Sequence, residues 1–196
     1  PQTRLQTQIQ LSTSQSPASS KASLSPACNV SSGTTGGHAN GTCNGTNPKF
    51  VLSLEKVRSG IDVRTALMIR NIPNKYSQKM LLSALEESHR GHFDFMYLPI
   101  DFKNKCNVGY AFINFVQPQY IVSFYHEFHG RKWGKFNSEK VCEITYARIQ
   151  GKQQLISHFQ NSSLMNEDPK CRPVVFGQDG KQEEFPVGSN VRTRRG

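Results

Sequence analysis

From Phe50 onward, apolar residues recur along the chain at two periods, one of strands and one of helices, whereas residues 1–48 show neither. Ala66–Arg70 (ALMIR) is a short apolar run closed by Asn71-Ile72-Pro73-Asn74. It reads as a strand that stops where proline cannot donate to a ladder. Ser77 can cap a helix running to about Ser88, with Leu81, Ala84, Leu85 and Ser88 on one face. Phe93–Leu98 (FDFMYL) is a second strand, again ended by proline, and Gly109–Val116 (GYAFINFV) a third. Pro118 suits a first helical turn, Ile121, Phe124, Tyr125 and Phe128 form a helical stripe, and Gly130 ends it. Val141–Ala147 (VCEITYA) is the fourth strand. The order β-α-β-β-α-β predicts an α+β, ferredoxin-like sandwich. It has a four-stranded antiparallel sheet with two helices on one face and the other face open.

The flanks read differently. Residues 1–48 are rich in Ser, Thr, Gln, Gly and Asn and contain no aromatic residue. They bury too little apolar surface to offset the entropy of ordering, so they are expected to be a disordered low-complexity tail. Residues 49–63 form a short docking segment, in which Val51, Leu52, Leu54 and Val57 suit one helical turn or a short strand. Residues 64–149 are the folded domain. Residues 150–165 carry a C-terminal helix whose Leu155, Ile156 and Phe159 share one side, and residues 166–196 are expected to be largely irregular. The chain begins at Pro1 and stops at Gly196, and reads as a piece of a longer protein.

Charge narrows the partners. The formal net charge of +10 divides into +3 over residues 1–50, +5 over 51–150 and +2 over 151–196. Such an excess attracts polyanions, nucleic acid or an anionic membrane surface, without choosing between them. No apolar run approaches the roughly 18 residues that span a bilayer. The five cysteines lie far apart with no CxxC pair, which argues for free thiols against a disulfide framework or a zinc site. Sequons at Asn29, Asn40, Asn44 and Asn161 reflect the local composition. The pairs His89/His92 and His126/His129 read as solvated. His126-Glu127-Phe128-His129 is not the H-E-x-x-H motif, because its second histidine comes one residue early. No phosphate loop, nucleophile elbow or opposed carboxylate pair stands out. The expectation is a non-enzyme with no cofactor and no metal.

The third strand carries the chemistry. Val108–Phe115 fits seven of the eight positions of the octamer K/R-G-F/Y-G/A-F-V-x-F/Y that marks an RNA recognition motif (RRM), with Val108 where a basic residue is usual. Alternation sends Ala111, Ile113 and Phe115 to the helices and Tyr110, Phe112 and Asn114 to the open face. Two exposed rings offer planes on which unpaired bases stack. On the first strand Leu67, Ile69 and Ile72 read as core, while Met68 and Arg70 point to the same open face. Lys103 and Lys105, between the second and third strands, can meet phosphate. Glu143 and Thr145 share the open face on the fourth strand, leaving Cys142, Ile144 and Tyr146 to the core. Arg148 and Gln150 follow, where the chain can fold back over bases, and Trp133 is expected to pack beneath the loop before the last strand. Phe93, Phe95 and Tyr97 face either the core or the platform, the core being preferred. The expected RNA-binding set is therefore Met68, Arg70, Lys103, Lys105, Tyr110, Phe112, Asn114, Thr145, Arg148 and Gln150. A rival expectation is an RRM-fold protein-protein interaction module whose sheet face is masked by Leu155, Ile156 and Phe159.

Beyond the octamer, Met68–Tyr76 (MIRNIPNKY), Phe93–Asn107 (FDFMYLPIDFKNKCN) and Ala147–Pro173 with its HFQNSSLMNED run closely resemble the C-terminal RRM of the Mei-two-like RNA-binding proteins of plants and fungi. The resemblance covers about Phe50 to the C-terminus. It implies single-stranded RNA binding, a post-transcriptional regulatory role in meiosis or development, and residence in the nucleus and also the cytoplasm. It further implies two more RRMs upstream in the full protein. A non-aromatic residue at Met68 is common in that family. The expected partner is single-stranded RNA, with protein partners through the C-terminal helix, no membrane, and a monomeric chain.

Overall fold

The computed structural model describes residues 47–187, so the expectation for residues 1–48 falls almost wholly outside it. Along the chain lie α1 (Leu54–Arg58), β1 (Ala66–Arg70), α2 (Gln78–His89), β2 (Phe93–Tyr97), β3 (Ile100–Asp101) and β4 (Cys106–Asn107). There follow β5 (Tyr110–Phe115), α3 (Tyr120–Phe128), β6 (Glu143–Tyr146), α4 (Lys152–Gln160), β7 (Val174–Phe176) and β8 (Gln182–Glu183).

The large sheet has the order β6-β1-β5-β2-β7-β8. Its first four strands in that order, β6-β1-β5-β2, are the predicted ones, and every pairing is antiparallel. β1 ends at Arg70, and Asn71 after it adopts a left-handed φ of 60° just before Ile72-Pro73. The Ser77 hydroxyl accepts from the Met80 N–H at 3.2 Å and starts α2. α3 begins at Tyr120, two residues after Pro118, and is closed by Gly130 at φ 76°.

The helix-side core is the one expected. Leu67, Ile69, Ala111, Ile113, Phe115, Ile144 and Tyr146 pack with Leu81, Leu85, Ile121 and Phe124. Leu52 and Val57 join this core, and the docking segment forms a 3-10 turn at Pro48–Phe50 followed by α1 rather than a strand. Trp133 is buried there, edge-on to Tyr76 at 5.3 Å.

Four expectations are corrected. Phe93 faces the helix core, but Phe95 and Tyr97 do not; they belong to the cluster on the opposite face. A bulge between Phe93 and Phe95 shifts the register by one residue and puts the next ring on the other side. The expected irregular tail, residues 166–196, is ordered into strands in part of its described portion, residues 166–187, because β7 pairs with the edge of β2 and β8 pairs with β7. Three residues after Pro173 are too few for periodicity to register, and an unpaired edge supplies the partner. The sheet face opposite α2 and α3 is not open, because α4 lies on it. Finally, the histidines are not simply solvated. His89 is 2% exposed and its Nε2 lies 2.9 Å from the Glu127 carboxylate, because α2 and α3 pack side by side. His92 stacks on Tyr120 and His129 on Tyr125, each at 4.1 Å.

Candidate nucleic-acid interface

β5 runs through the middle of the sheet and places Tyr110 and Phe112 on one face, ring centroids 5.7 Å apart and edge-on. Pairing sets Met68 opposite Phe112 and Arg70 opposite Tyr110 on β1, and Tyr97 opposite Phe112 on β2. With Phe95, five apolar side chains thus form one patch across three strands. Phe95 and Tyr97 are platform residues that reading the sequence assigned to the core. A bulge leaves no period to read, and only the polar Asp94 between two rings hints at it.

The patch is covered. Leu155, Ile156 and Phe159 of α4, then Leu164, Met165, Val175 and Phe185, pack onto it. Phe159 stands edge-on to Tyr97 at 4.8 Å and lies 6.0 Å from Phe112. Tyr110 keeps 8% of its surface, Phe112 9% and Met68 5%. Nothing polar has been arranged for the Tyr110 hydroxyl under this cover. It is buried with no protein partner, and burial pushes its pKa up to about 12. His158 on α4 is in a similar position: Nε2 is buried without a protein partner, and burial pushes the imidazole pKa down.

The polar residues of the predicted set are mostly engaged within the fold. The Thr65 hydroxyl donates to Asn114 Oδ1 at 2.9 Å, and Asn114 Nδ2 donates to Asp94 at 2.8 Å and to the Phe115 carbonyl at 3.2 Å. Burial raises the Asp94 pKa against the hydrogen bond from Asn114. Gln150 clamps the start of β1. Its Oε1 accepts from the Thr65 and Ala66 N–H groups at 3.1 and 2.9 Å, and its Nε2 donates to the Ala66 and Ala147 carbonyls at 2.9 and 2.7 Å. Arg70 reaches Glu143 at 3.4 Å, a pair each about one-third exposed. Thr145 is buried at 7%. Arg148, Lys103 and Lys105 are exposed. The two lysines stand on the β3–β4 turn, which the Asp101 carboxylate holds by accepting from the Lys103 N–H at 2.9 Å and the Asn104 N–H at 3.2 Å. The structure therefore brings Met68, Arg70, Tyr110, Phe112, Asn114 and Thr145 to one face. It sets Lys103, Lys105, Arg148 and Gln150 at its margins.

No cluster of three or more metal-ligating side chains occurs among the described residues, and no described helix is long and apolar enough to cross a membrane. Cys106, Cys142 and Cys171 carry free thiols.

Known proteins match this chain closely. The family described as RNA recognition motif 2 matches residues 64–160. Protein MEI2-like 4 of Oryza sativa subsp. japonica is 61% identical over 152 residues, 76% of this chain and 15% of that protein. Protein MEI2-like 1 of Arabidopsis thaliana is 62% identical over 151 residues, 75% of this chain and 16% of that protein. The chain thus spans well under a fifth of the length of these relatives. Among solved structures, that of the Rna15 RRM with bound RNA (GU) aligns at a TM-score of 0.36 and 18% identity, over 42% of this chain and 82% of that one.

Proposed function

We propose that this chain, which belongs to the MEI2-like family of RNA recognition motif proteins, binds single-stranded RNA by stacking bases on Tyr110 and Phe112. The observation that carries this reading is the pair of octamer rings side by side at the centre of the sheet, with Met68 and Tyr97 continuing the plane. Family membership carries the wider part: a post-transcriptional regulator of meiosis or development, acting in the nucleus.

The cover sets the energetics. Fully burying an aliphatic or aromatic side chain stabilises by about 1.5–3 kcal/mol, so docking Leu155, Ile156 and Phe159 contributes at most roughly 5–9 kcal/mol. Two stacked bases supply about 2–6 kcal/mol. Stacking alone covers only part of that range. Phosphate contacts, through Lys103, Lys105 and Arg148, have to add to it, and RNA affinity is lowered by the fraction of chains with the face covered. The orphaned Tyr110 hydroxyl favours exchange, because uncovering it ends a desolvation cost of about 1–3 kcal/mol.

The test is RNA affinity of the full chain beside Tyr110→Ala/Phe112→Ala and Phe159→Ala, with folding followed by circular dichroism. The reading expects the folded double variant to lose roughly 2–5 kcal/mol and Phe159→Ala to bind more tightly. Equal binding by all three chains would sink it. Burial of Tyr110 and Phe112 favours a second reading, a protein-docking module with its platform permanently closed. Salt separates the two: RNA affinity falls steeply with ionic strength, and an apolar interface hardly responds.

A further inference from the structure

We infer that the end of the sheet away from α1 carries a second RNA contact, in which the Phe136 ring stacks a base and Lys75 and Lys135 hold the flanking phosphates. This inference deepens the RNA-binding reading and uses none of the covered face.

Three loops meet at that end, and side chains tie them together. Asn107 Nδ2 donates to the Pro73 and Tyr76 carbonyls at 2.8 and 2.9 Å. Lys140 Nζ donates to Asn74 Oδ1 at 2.6 Å and to the Ile72 carbonyl at 3.2 Å. Asn71 Nδ2 donates to the Val141 carbonyl at 3.0 Å. The NIPNKY run is thus explained residue by residue as the joint of these loops, with one exception: Lys75 points out and is exposed.

Beside it, the loop before β6 does something the fold does not need. Phe136 is 43% exposed and sits at φ 67°, followed by Asn137 at φ 46°. Bulky side chains rarely adopt the left-handed conformation, and residues held there concentrate at ligand sites. The ring is held edge-on to Tyr76 at 5.4 Å, and Tyr76 in turn edge-on to Trp133 at 5.3 Å. One edge is thereby fixed while much of the ring remains in solvent. Of the acidic groups at this end, Glu139 pairs with Lys132 and Asp101 is committed to its turn, while Glu87 on α2 lies near enough to act on Tyr76. Lys75, next to Tyr76 in the chain, and Lys135, next to Phe136 itself, are left exposed beside this exposed aromatic plane. An aromatic plane set among cations is the arrangement that takes a nucleobase with its phosphates.

The experiment measures binding of a short fluorescein-labelled oligouridylate to the full chain across a range of salt. Glycine accepts a positive φ without strain, so Phe136→Gly should keep or raise the melting temperature while lowering affinity about tenfold, the loss of one stacked base. Phe136→Leu, which keeps an apolar contact with Tyr76 but has no ring, should lose as much, and Phe136→Tyr should restore binding. Lys75→Gln and Lys135→Gln should each reduce the salt slope by about 1. If Phe136→Gly and Phe136→Leu bind like the parent while Tyr110→Ala/Phe112→Ala loses binding, this second contact is refuted and the platform reading stands. If the parent binds no RNA at any salt concentration, both fall.

Discussion

The two faces of the sheet are both buried, yet they are buried by different means. Against α2 and α3 stand aliphatic and aromatic side chains drawn from six elements, almost all fully enclosed. Against α4 stand rings with hydroxyls, together with Asn114 and Thr145. Here the cover is a nine-residue helix whose N-cap, Gly151 at φ 84°, offers no side chain to the first turn. A helix that short owes its stability to the surface beneath it. One face is therefore the fold itself and the other a docked layer, and each holds buried polar atoms without protein partners: Trp133 Nε1 and Tyr146 Oη in the helix-side core, Tyr110 Oη and His158 Nε2 under the cover.

The largest expected effect tests the first half of this contrast. Phe124, fully enclosed between the helices and β5, should cost about 3–5 kcal/mol as Phe124→Ala, seen as a lower midpoint of one cooperative urea transition. Phe159→Ala removes a ring just as large from the other face, but its cost is capped by the free energy of docking α4. Amides of α4 should then exchange rapidly with solvent while those of β5 stay protected. Should Phe159→Ala lower the global midpoint as far as Phe124→Ala, the two faces are one cooperative unit and the contrast is broken. Gln150→Ala leaves the Thr65 and Ala66 N–H groups and the Ala147 carbonyl, at the joint between β1 and α4, to find other partners, while the Ala66 carbonyl keeps the Ala147 N–H. A loss of about 1–3 kcal/mol is expected, again in the urea midpoint.

Acidification gives the smallest effect. Burial pushes the imidazole pKa values of His89, His129 and His158 below the usual 6.5, in His89 against the opposing pull of Glu127. Groups whose pKa is depressed by folding contribute stability above their unfolded value, and it is lost as pH falls through the folded value. The melting temperature should therefore drop as pH is lowered below about 6.5. Asp94, raised by burial, acts in the opposite sense nearer its ordinary 3.8. In His129 the reason is visible: Nδ1 accepts from the Ile144 N–H at 3.0 Å and has to be unprotonated to do so. His129→Gln should flatten part of the pH profile, and an unchanged profile would remove His129 from the account.

What could be read from the chain and what could not follows this same division. The strand order, the Ser77 cap and the helix-side core were legible because their signals are local, a period and a capping hydroxyl. The in-and-out alternation of β1, β5 and β6 was legible for the same reason, and it placed Tyr110, Phe112 and Met68 on the face they occupy. Phe95 and Tyr97 were misassigned because a bulge breaks alternation and carries no composition of its own. β7 was missed because Val174–Phe176 becomes a strand only by finding the edge of β2. The apolar side of α4 was legible, but its docking on the platform was one of two readings the sequence left open, since helical spacing does not name the surface a helix will meet. Phe136 gave no signal, because its left-handed backbone is set by loops that meet only in three dimensions.

The strand pairing of β7 with β2 has one more consequence. α4 is fastened to the sheet on both sides, through Gln150 ahead of it and through β7 behind it, where Lys152 also reaches the Phe176 carbonyl. Once lifted, the helix has nowhere to go, and short connections keep its effective concentration over the platform in the millimolar range. On the stacking mechanism proposed above, RNA competes against a rival that cannot be diluted, and its affinity for every sequence is lowered by the same factor.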